Sequence, residues 1–288
     1  MIYTFIARAC TDLPVSACCR VMRVSTSGFY VWRANPVREK DLDDAYLSDT
    51  IVDLWTMSRR SYGSPRFHAE LKLGQGIRCS RKRVERLMRQ AGVAGIHRRR
   101  RGGCTRRDLG AEPSDDLVQR AFDPAEPDRL WVMDVTEHPT ENGKAYLAVV
   151  LDAFSRRVVG WSIADHMRSE LVVDALQIAI WRRRPAPGQT IAHSDHGSTY
   201  TSWAFGRRLR GNGLLGSMGS IGECFDNSVA ESFFGTLQLE LLDEHHGESL
   251  QQLAQAIFEW IEAWYNPRRP HSYCQMLSPV DYDTANAA

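Results

Sequence analysis

The run WVMDVTEH sets one carboxylate, Asp134, among Trp131, Val132, Met133 and Val135. A short apolar run of this kind reads as a buried strand. Burying an ionised carboxylate costs several kcal/mol unless something offsets it, so a fold built on this strand must bring a compensating group to Asp134. Two more acids suit that role. Asp195 follows TIAHS, which reads as a strand, and Glu231 lies in DNSVAESFFGTLQLE, where the apolar residues have helical spacing. Three converging carboxylates make a site for a shared divalent cation.

Charge divides the chain. Its formal net charge is +1, yet residues 1–110 hold 22 Lys+Arg against 10 Asp+Glu and residues 111–288 hold 14 against 25, the halves adding to 36 and 35. A basic segment joined to an acidic one suggests a module that grips a polyanion beside a domain that carries carboxylates. The plainer reading is a solvated basic surface. Seven cysteines, an odd number, include no CxxC pair, so Cys10, Cys18, Cys19, Cys79, Cys104, Cys224 and Cys274 read as reduced thiols of a cytosolic protein. The N-terminus lacks a signal-peptide pattern, and the longest apolar run, AYLAVVL, is too short to span a bilayer. Secretion and membrane insertion are not expected.

Residues 1–40 read as a helical segment, in which VSTSG breaks two helical patterns; Ser25 or Ser27 can cap the second, as at a helix-turn-helix corner or in a small packing unit. Residues 41–100 read as a basic helical module. Leu42, Tyr46, Ile51, Leu54 and Trp55 have near-helical spacing, and Gly63 and Pro65 end that helix and start the next. In SRKRVERLMRQAGV, Ser80 caps a third helix with Val84, Leu87 and Met88 inward and Arg81, Lys82, Arg83, Arg86 and Arg89 outward. A helix so charged fits a recognition helix, and Arg66, Arg81, Lys82, Arg83 and Arg86 are candidate DNA contacts. Residues 101–124 read as a linker, entered through Arg98, Arg99, Arg100 and Arg101, which could follow a phosphate backbone.

From residue 125 the pattern turns to short strands. WVMDVTEH and AYLAVVLD flank the turn signal Asn142-Gly143, and RRVVGWSIA supplies a third strand. SELVVDALQIAIWRRR then reads as a helix capped by Ser169, TIAHS as a fourth strand, YTSWAFGRRLRGNG as a helix closed by Gly211 or Gly213, and LLGSM as an edge strand. SIGECFDN reads as a mobile loop, after which Asn227 or Ser228 can cap the helix of Glu231. LQQLAQAIFEWIEAWYN reads as a long final helix ended by Pro267, with Trp260 and Trp264 packing inward.

Asp134, Asp195 and Glu231, with WVMDVT, HSDHGSTY and NSVAESFFGTL around them, resemble the catalytic core of the DDE transposase and retroviral integrase superfamily. YGSPRFHAEL and YNPRRPH narrow the resemblance to the insertion-sequence-three transposases, over roughly residues 45–285. It implies an α/β fold, a ribonuclease H-like integrase core over residues 125–288 with a mixed five-stranded sheet, preceded by small all-α helix-turn-helix modules. It also implies a polynucleotidyl transferase that binds the element's terminal inverted repeats, cuts a strand and joins the 3′-end to target DNA. Two Mg²⁺ or Mn²⁺ ions would sit on the triad, Asp134 bridging both, since hard cations prefer carboxylate oxygens.

His193 beside Asp195 is then an orienting or DNA-contacting residue rather than a ligand. An oligomer on DNA is implied, as is a first-frame product of the same element, which would supply a further helix-turn-helix and a coiled coil; the place of action is the bacterial cytoplasm, at the nucleoid. Two departures stand out. Gln238 occupies the position seven after Glu231 where a basic residue is common, so that it could hydrogen-bond a base edge but not attract a phosphate as strongly, and Asn227 is another candidate DNA contact. Glu137 and His138 stand where an aromatic and an aliphatic residue are usual. The competing readings are a DNA-binding regulator or inactive remnant without catalysis, and a nuclease without strand transfer.

Overall fold

The computed structural model describes residues 2–35, 37–96, 123–195, 197, 199–218 and 228–286. The expected linker up to residue 122, the Arg98–Arg101 run, the SIGECFDN loop and Asn227 therefore fall outside the described residues. Two compact units divide the chain, one formed by residues 1–68 with 77–95 and the other by residues 69–76 with 96–288.

In the first unit, α1 (Ile2–Ala9), α2 (Val15–Val21) and α3 (Thr26–Ala34) close on Ile6, Cys18, Cys19 and Phe29. Ser25 caps α3, its hydroxyl accepting from Gly28 N at 3.2 Å. α4 (Glu39–Met57), the first half of α5 (Ser64–Leu73) and α6 (Arg81–Ala91) follow. The inward stripe of α4 is Leu47, Ile51 and Leu54, whereas Leu42 and Tyr46 are exposed. Spacings of four and then three residues keep one face toward the core, and Tyr46 falls outside that face. α6 is placed as its sequence predicts: Ser80 accepts from Arg83 N at 3.2 Å, and Val84, Leu87 and Met88 are buried.

The second unit is built on β1 (Leu130–Thr140), β2 (Gly143–Asp152), β3 (Val158–Ala164), β4 (Ile191–Ser194) and β5 (Leu215–Met218), ordered β3-β2-β1-β4-β5. The first three form an antiparallel meander. A crossover through α7 (Ser169–Arg183) then returns the chain to lay β4 parallel to β1, with β5 parallel to β4 at the edge. Parallel neighbours need such a crossover. The side chains alternate accordingly. Trp131, Met133, Ala148 and Val150 pack under α7 with Leu171, Val172, Ala175 and Ala179, and Leu130, Val132, Leu147 and Val149 face α9 (Ser228–Leu237) and α10 (Leu250–Phe258). Gly160 lets α7 lie on β3, since a Cβ there would come 2.2 Å from the Ala175 carbonyl oxygen. α8 (Trp203–Gly211) supports β5, capped by Ser202.

Three local expectations are corrected. α7 begins at Ser169 itself, with Arg168 at the cap position and no side-chain cap bond. The helix of Trp260 widens to π geometry over Glu259–Tyr265 and restarts as α11 (Asn266–Arg268), so that Pro267 sits in a first turn, where its missing N–H costs nothing, instead of ending the helix. Nor is that helix the last, because α12 (Pro279–Ala285) follows.

The YNPRRPH run pins this unit's C-terminal part to the meander. The Asn266 amide both accepts from Val158 N and donates to Val158 O at 2.9 Å, and Tyr265 donates to the Arg156 carbonyl at 3.0 Å. Arg269, 3% exposed, donates to both oxygens of Glu240, 6% exposed, at 2.8 to 3.0 Å. Asp283 on α12 accepts from Arg157 and Arg183, and Arg183 also donates to Asp128.

Candidate active site

Strand and helix faces set the three acids on the same side of the sheet, near enough for the charges of Asp195 and Glu231 to act on Asp134. Asp134 continues the Leu130 and Val132 face of β1, the face on which α9 packs. Leu130 pairs with Ile191 and Val132 with His193, and Asp134 and Asp195 each follow two residues beyond the last of these pairs. Glu231 stands on the exposed side of α9, whose Val229, Ala230, Phe233 and Leu237 are buried.

Asp134 is half-buried, and its Oδ1 accepts from Val135 N at 2.7 Å. Burial pushes its pKa up to about 7, the backbone hydrogen bond opposes that shift, and the charges of Asp195 and Glu231 add to it. Asp195 lies in a tight turn in which its Oδ1 accepts from Gly197 N at 3.1 Å; a Cβ at 197 would come 3.0 Å from that oxygen. Among the described residues no Lys or Arg forms an ion pair with any of the three. Hard oxygen donors with an uncompensated half-buried charge fit a divalent cation. Among the described residues no three His, Cys, Asp or Glu side chains close around a single ion position, although the charges of Asp195 and Glu231 both act on Asp134.

The remaining predicted residues are placed as follows. His193 is 1% exposed and its Nδ1 lies 3.1 Å from Ser217 Oγ on β5. Gln238 follows α9 in a π-helical stretch, Gln238–Leu242, and donates to Asp243 Oδ1 at 2.6 Å. Glu137 is occupied by Lys144 at 2.8 Å, while His138 is buried, bonded to the His245 carbonyl and stacked on His246 at 5.8 Å. Neither joins the acids; His138 and the His245-His246 pair form a packing cluster.

On the basic module Arg81 and Lys82 are exposed, and Arg81 pairs with Glu85 at 2.9 Å. Arg83 and Arg86 do not lie fully outside as expected: both donate to Asp44 on α4 at 2.7 Å. Arg66 lies over the Tyr62 ring at 5.6 Å. Asp44 was invisible to a reading by charge, because it is one acid among several on α4 and only the fold brings it against α6.

Family models described as integrase core domain match residues 124–224 and 212–279, and one described as HTH-like domain matches residues 41–101. With these matches the chain is an integrase-type polynucleotidyl transferase with a helix-turn-helix-like domain ahead of its core. The chain is 35% identical over 290 residues, covering 100% of both chains, to transposase InsF for insertion sequence IS3A of Escherichia coli (strain K12), and it belongs to the IS3 family of insertion-sequence transposases. It is also 35% identical over 273 residues to a putative transposase for insertion sequence element IS986/IS6110 of Mycobacterium tuberculosis (strain CDC 1551 / Oshkosh), covering 92% of this chain and 96% of that one. Among solved structures it is similar to a chain of the simian T-cell lymphotropic virus intasome in complex with PP2A regulatory subunit B56 gamma (TM-score 0.46, 14% identity, 81% of this chain and 74% of that one). A second is the HTLV-2 integrase catalytic core domain in complex with magnesium (TM-score 0.42, 19% identity, 55% of this chain and 98% of that one). Among the described residues no helix is long and apolar enough to cross a membrane.

Proposed function

We propose that this transposase binds the terminal inverted repeats of its element, cuts a DNA strand at the end and joins the freed 3′-end to target DNA, with Asp134, Asp195 and Glu231 as the residues that hold two Mg²⁺ or Mn²⁺ ions. The observation that carries the reading is Asp134: a carboxylate on a core strand, pushed up to about 7, whose neighbouring charges are two more acids. A cation of high charge density reconciles all three in their ionised form. When bound, such ions activate an oxygen nucleophile and stabilise the leaving oxygen of an in-line displacement. The chain's own part is to fix the acids. β1 holds Asp134 rigidly within the sheet, the Gly197 amide orients Asp195, and His193, anchored on Ser217, steadies the end of β4.

End binding falls to the module over residues 41–100, with residues 1–40 as a further helical segment and residues 101–124 as the linker to the core. Arg81 and Lys82 meet phosphates there, Arg66 adds a cation stacked on Tyr62, and Arg83 and Arg86 are steered by Asp44. Arg98, Arg99, Arg100 and Arg101 extend the phosphate track, and Asn227 and Gln238 meet the DNA end beside Glu231. The working unit is an oligomer on DNA in the cytoplasm at the nucleoid, with the first-frame product of the same element as a further partner.

The test is strand cleavage and joining on a labelled element-end duplex with Mg²⁺ or Mn²⁺, comparing the full chain with Glu231→Gln. Metal-dependent joining that is lost in the variant is the expected result. Cutting without joining would leave a nuclease, and binding without cutting under either ion would leave a DNA-binding protein.

A further inference from the structure

A cavity of about 680 Å³ opens in the second unit along one flank of α9. Ser228, Ser232 and Thr236 recur every fourth residue and line it, while Glu231 stands about 100° round the helix from Ser232. Arg156, in the turn between β2 and β3, and Tyr273, beyond α11, line it too. The Arg156 backbone lies in the left-handed region at φ 61°, which glycine or asparagine adopts far more easily. Its N–H donates to the Asp152 carbonyl at 2.8 Å and its carbonyl accepts from the Tyr265 hydroxyl at 3.0 Å, so the turn is held from both sides. An arginine in such a position is accounted for by its side chain. Arg156 Cζ lies 3.8 Å from the centroid of the Tyr273 ring. Stacking takes up the face of a guanidinium and leaves its N–H edge for an acceptor. An acid stands at this place: Asp123 Oδ1 accepts from the Tyr273 hydroxyl at 2.6 Å and lies 3.8 Å from Arg156 Nη2. The Asp123 side chain is 80% exposed and that of Arg156 16%, so the carboxylate reaches in from solvent to a cation fixed in the wall. An ion pair that long and that exposed is readily exchanged.

We propose that this cavity is a nucleotide site: a phosphate takes the place of the Asp123 carboxylate on Arg156 and Tyr273, and the nucleoside behind it lies along the Ser232 and Thr236 hydroxyls. Phosphate is the stronger occupant, because it offers more charge and more acceptor oxygens to a guanidinium edge and a phenol. Burial and then the bond to Asp123 push the Tyr273 hydroxyl up to about 12, which keeps it a donor at neutral pH. A bare phosphate would leave most of the cavity empty, whereas sites of about 300–1,000 Å³ hold whole small molecules. The hydroxyls of α9 both donate and accept, as sugar and base edges require. Asp123 then acts as a built-in competitor that a nucleotide displaces. The proposal rests on the DNA-transposase reading for the source of that nucleotide, an unpaired residue of a DNA strand; a free nucleotide carries the same chemistry.

The experiment titrates the full chain by calorimetry with inorganic phosphate, thymidine 5′-monophosphate and a short oligothymidylate. Wild type is expected to bind the mononucleotide more tightly than phosphate, and Arg156→Gln to weaken that binding about tenfold, the scale of one lost charge-assisted hydrogen bond. Asp123→Ala, at an exposed position, is expected to strengthen it, and Thr236→Leu, which fills the cavity away from the turn, to weaken the mononucleotide but not phosphate. Should Arg156→Gln melt lower than wild type, the last two variants carry the test. Phosphate bound as tightly as the mononucleotide overturns the nucleotide claim, and affinities unmoved by Asp123→Ala and Thr236→Leu overturn the site. Oligothymidylate bound more tightly than the mononucleotide, with the same response to the variants, supports a site for a strand; the reverse order supports one for a free nucleotide. Element-end joining measured on the same preparations keeps the two readings apart: joining without mononucleotide binding overturns this site alone, and binding without joining supports the site and counts against strand joining alone.

Discussion

Arg269 grips both oxygens of Glu240 while the two residues are 3% and 6% exposed, and His271 Nε2 accepts a further hydrogen bond from the same guanidinium at 3.1 Å. Breaking a buried pair from one side leaves an uncompensated charge, at a cost of about 3–5 kcal/mol. Glu240→Gln is therefore expected to lower stability in urea by that amount. Glu240→Leu with Arg269→Met removes both charges and is expected to recover most of the loss. A double variant no better than the single would show that the pair's hydrogen bonds, not its charges, hold the segment.

Asp44 couples α4 to α6 through Arg83 and Arg86, and the hydrogen bonds from Arg86 and then Arg83 hold its carboxyl below the usual range. A lowered folded-state pKa gives stability that is present above the unfolded value and is lost as pH falls through the folded one. Asp44→Asn is expected to destabilise the basic module at neutral pH, with the gap closing as pH falls below the usual carboxylate range. The substitution also frees two cations, so the salt dependence of DNA binding is expected to steepen by up to ~0.9 per freed charge. An unchanged slope would mean that neither arginine reaches phosphate.

Asp134→Asn exchanges a carboxylate strained by burial for a neutral amide of the same shape. Metal-free protein carrying it is expected to gain about 1–3 kcal/mol in stability, the ordinary scale for a relieved buried polar group, with joining abolished. Differential scanning calorimetry with and without Mn²⁺ checks this. Mn²⁺ is expected to raise the melting temperature of the wild type and leave the variant unmoved, and a metal-dependent rise in both would move the ion elsewhere.

Asp152, at the end of β2, is fully buried and pushed up to about 6, first by burial and then by Asp128, against the hydrogen bonds from Ser155. Its folded pKa lies above the unfolded value near 3.9. The stability it contributes is present below that value and is lost as pH rises to about 6. Asp152→Asn also forfeits an acceptor for the Ser155 amide, which adds an offset independent of pH. Relative to wild type, the variant is expected to gain about 2 kcal/mol between pH 4 and pH 7, read from urea midpoints. A difference that stays flat across that range would place the proton elsewhere.

Periodicity and turn chemistry carried most of the core into view. The Asn142-Gly143 hairpin, the crossover helix and the edge position of LLGSM follow from local patterns, and so does the acidic interruption at Asp134. What local pattern does not contain is pairing across distance. The bracing of Arg83 and Arg86 depends on a helix about forty positions upstream, and the amide clamp of Asn266 on Val158 joins residues 108 apart. The start of α7 was misjudged because a Ser at a helix entrance can stand at the cap or just inside it, and only backbone dihedrals separate the two. The interior Pro267 misled for a related reason: a break in helical geometry just before it gives the ring a first turn to occupy.

The clamp made by Asn266, Arg269 and Asp283 also bears on the order in which the protein forms. The β1–β2 hairpin closes across a short turn, whereas the loop that ties Asp283 to Arg157 spans 126 positions and the one that ties Asn266 to Val158 spans 108. Contacts separated that far in sequence form late, because chain-closure entropy must be overcome first. During synthesis the meander therefore takes shape while the segment that secures it has yet to be made. Until then the strand end at Val158 and the side chains of Arg157 and Arg183 lack their later partners, and this corner is where a growing chain is most exposed to chaperones and to mispairing with its neighbours.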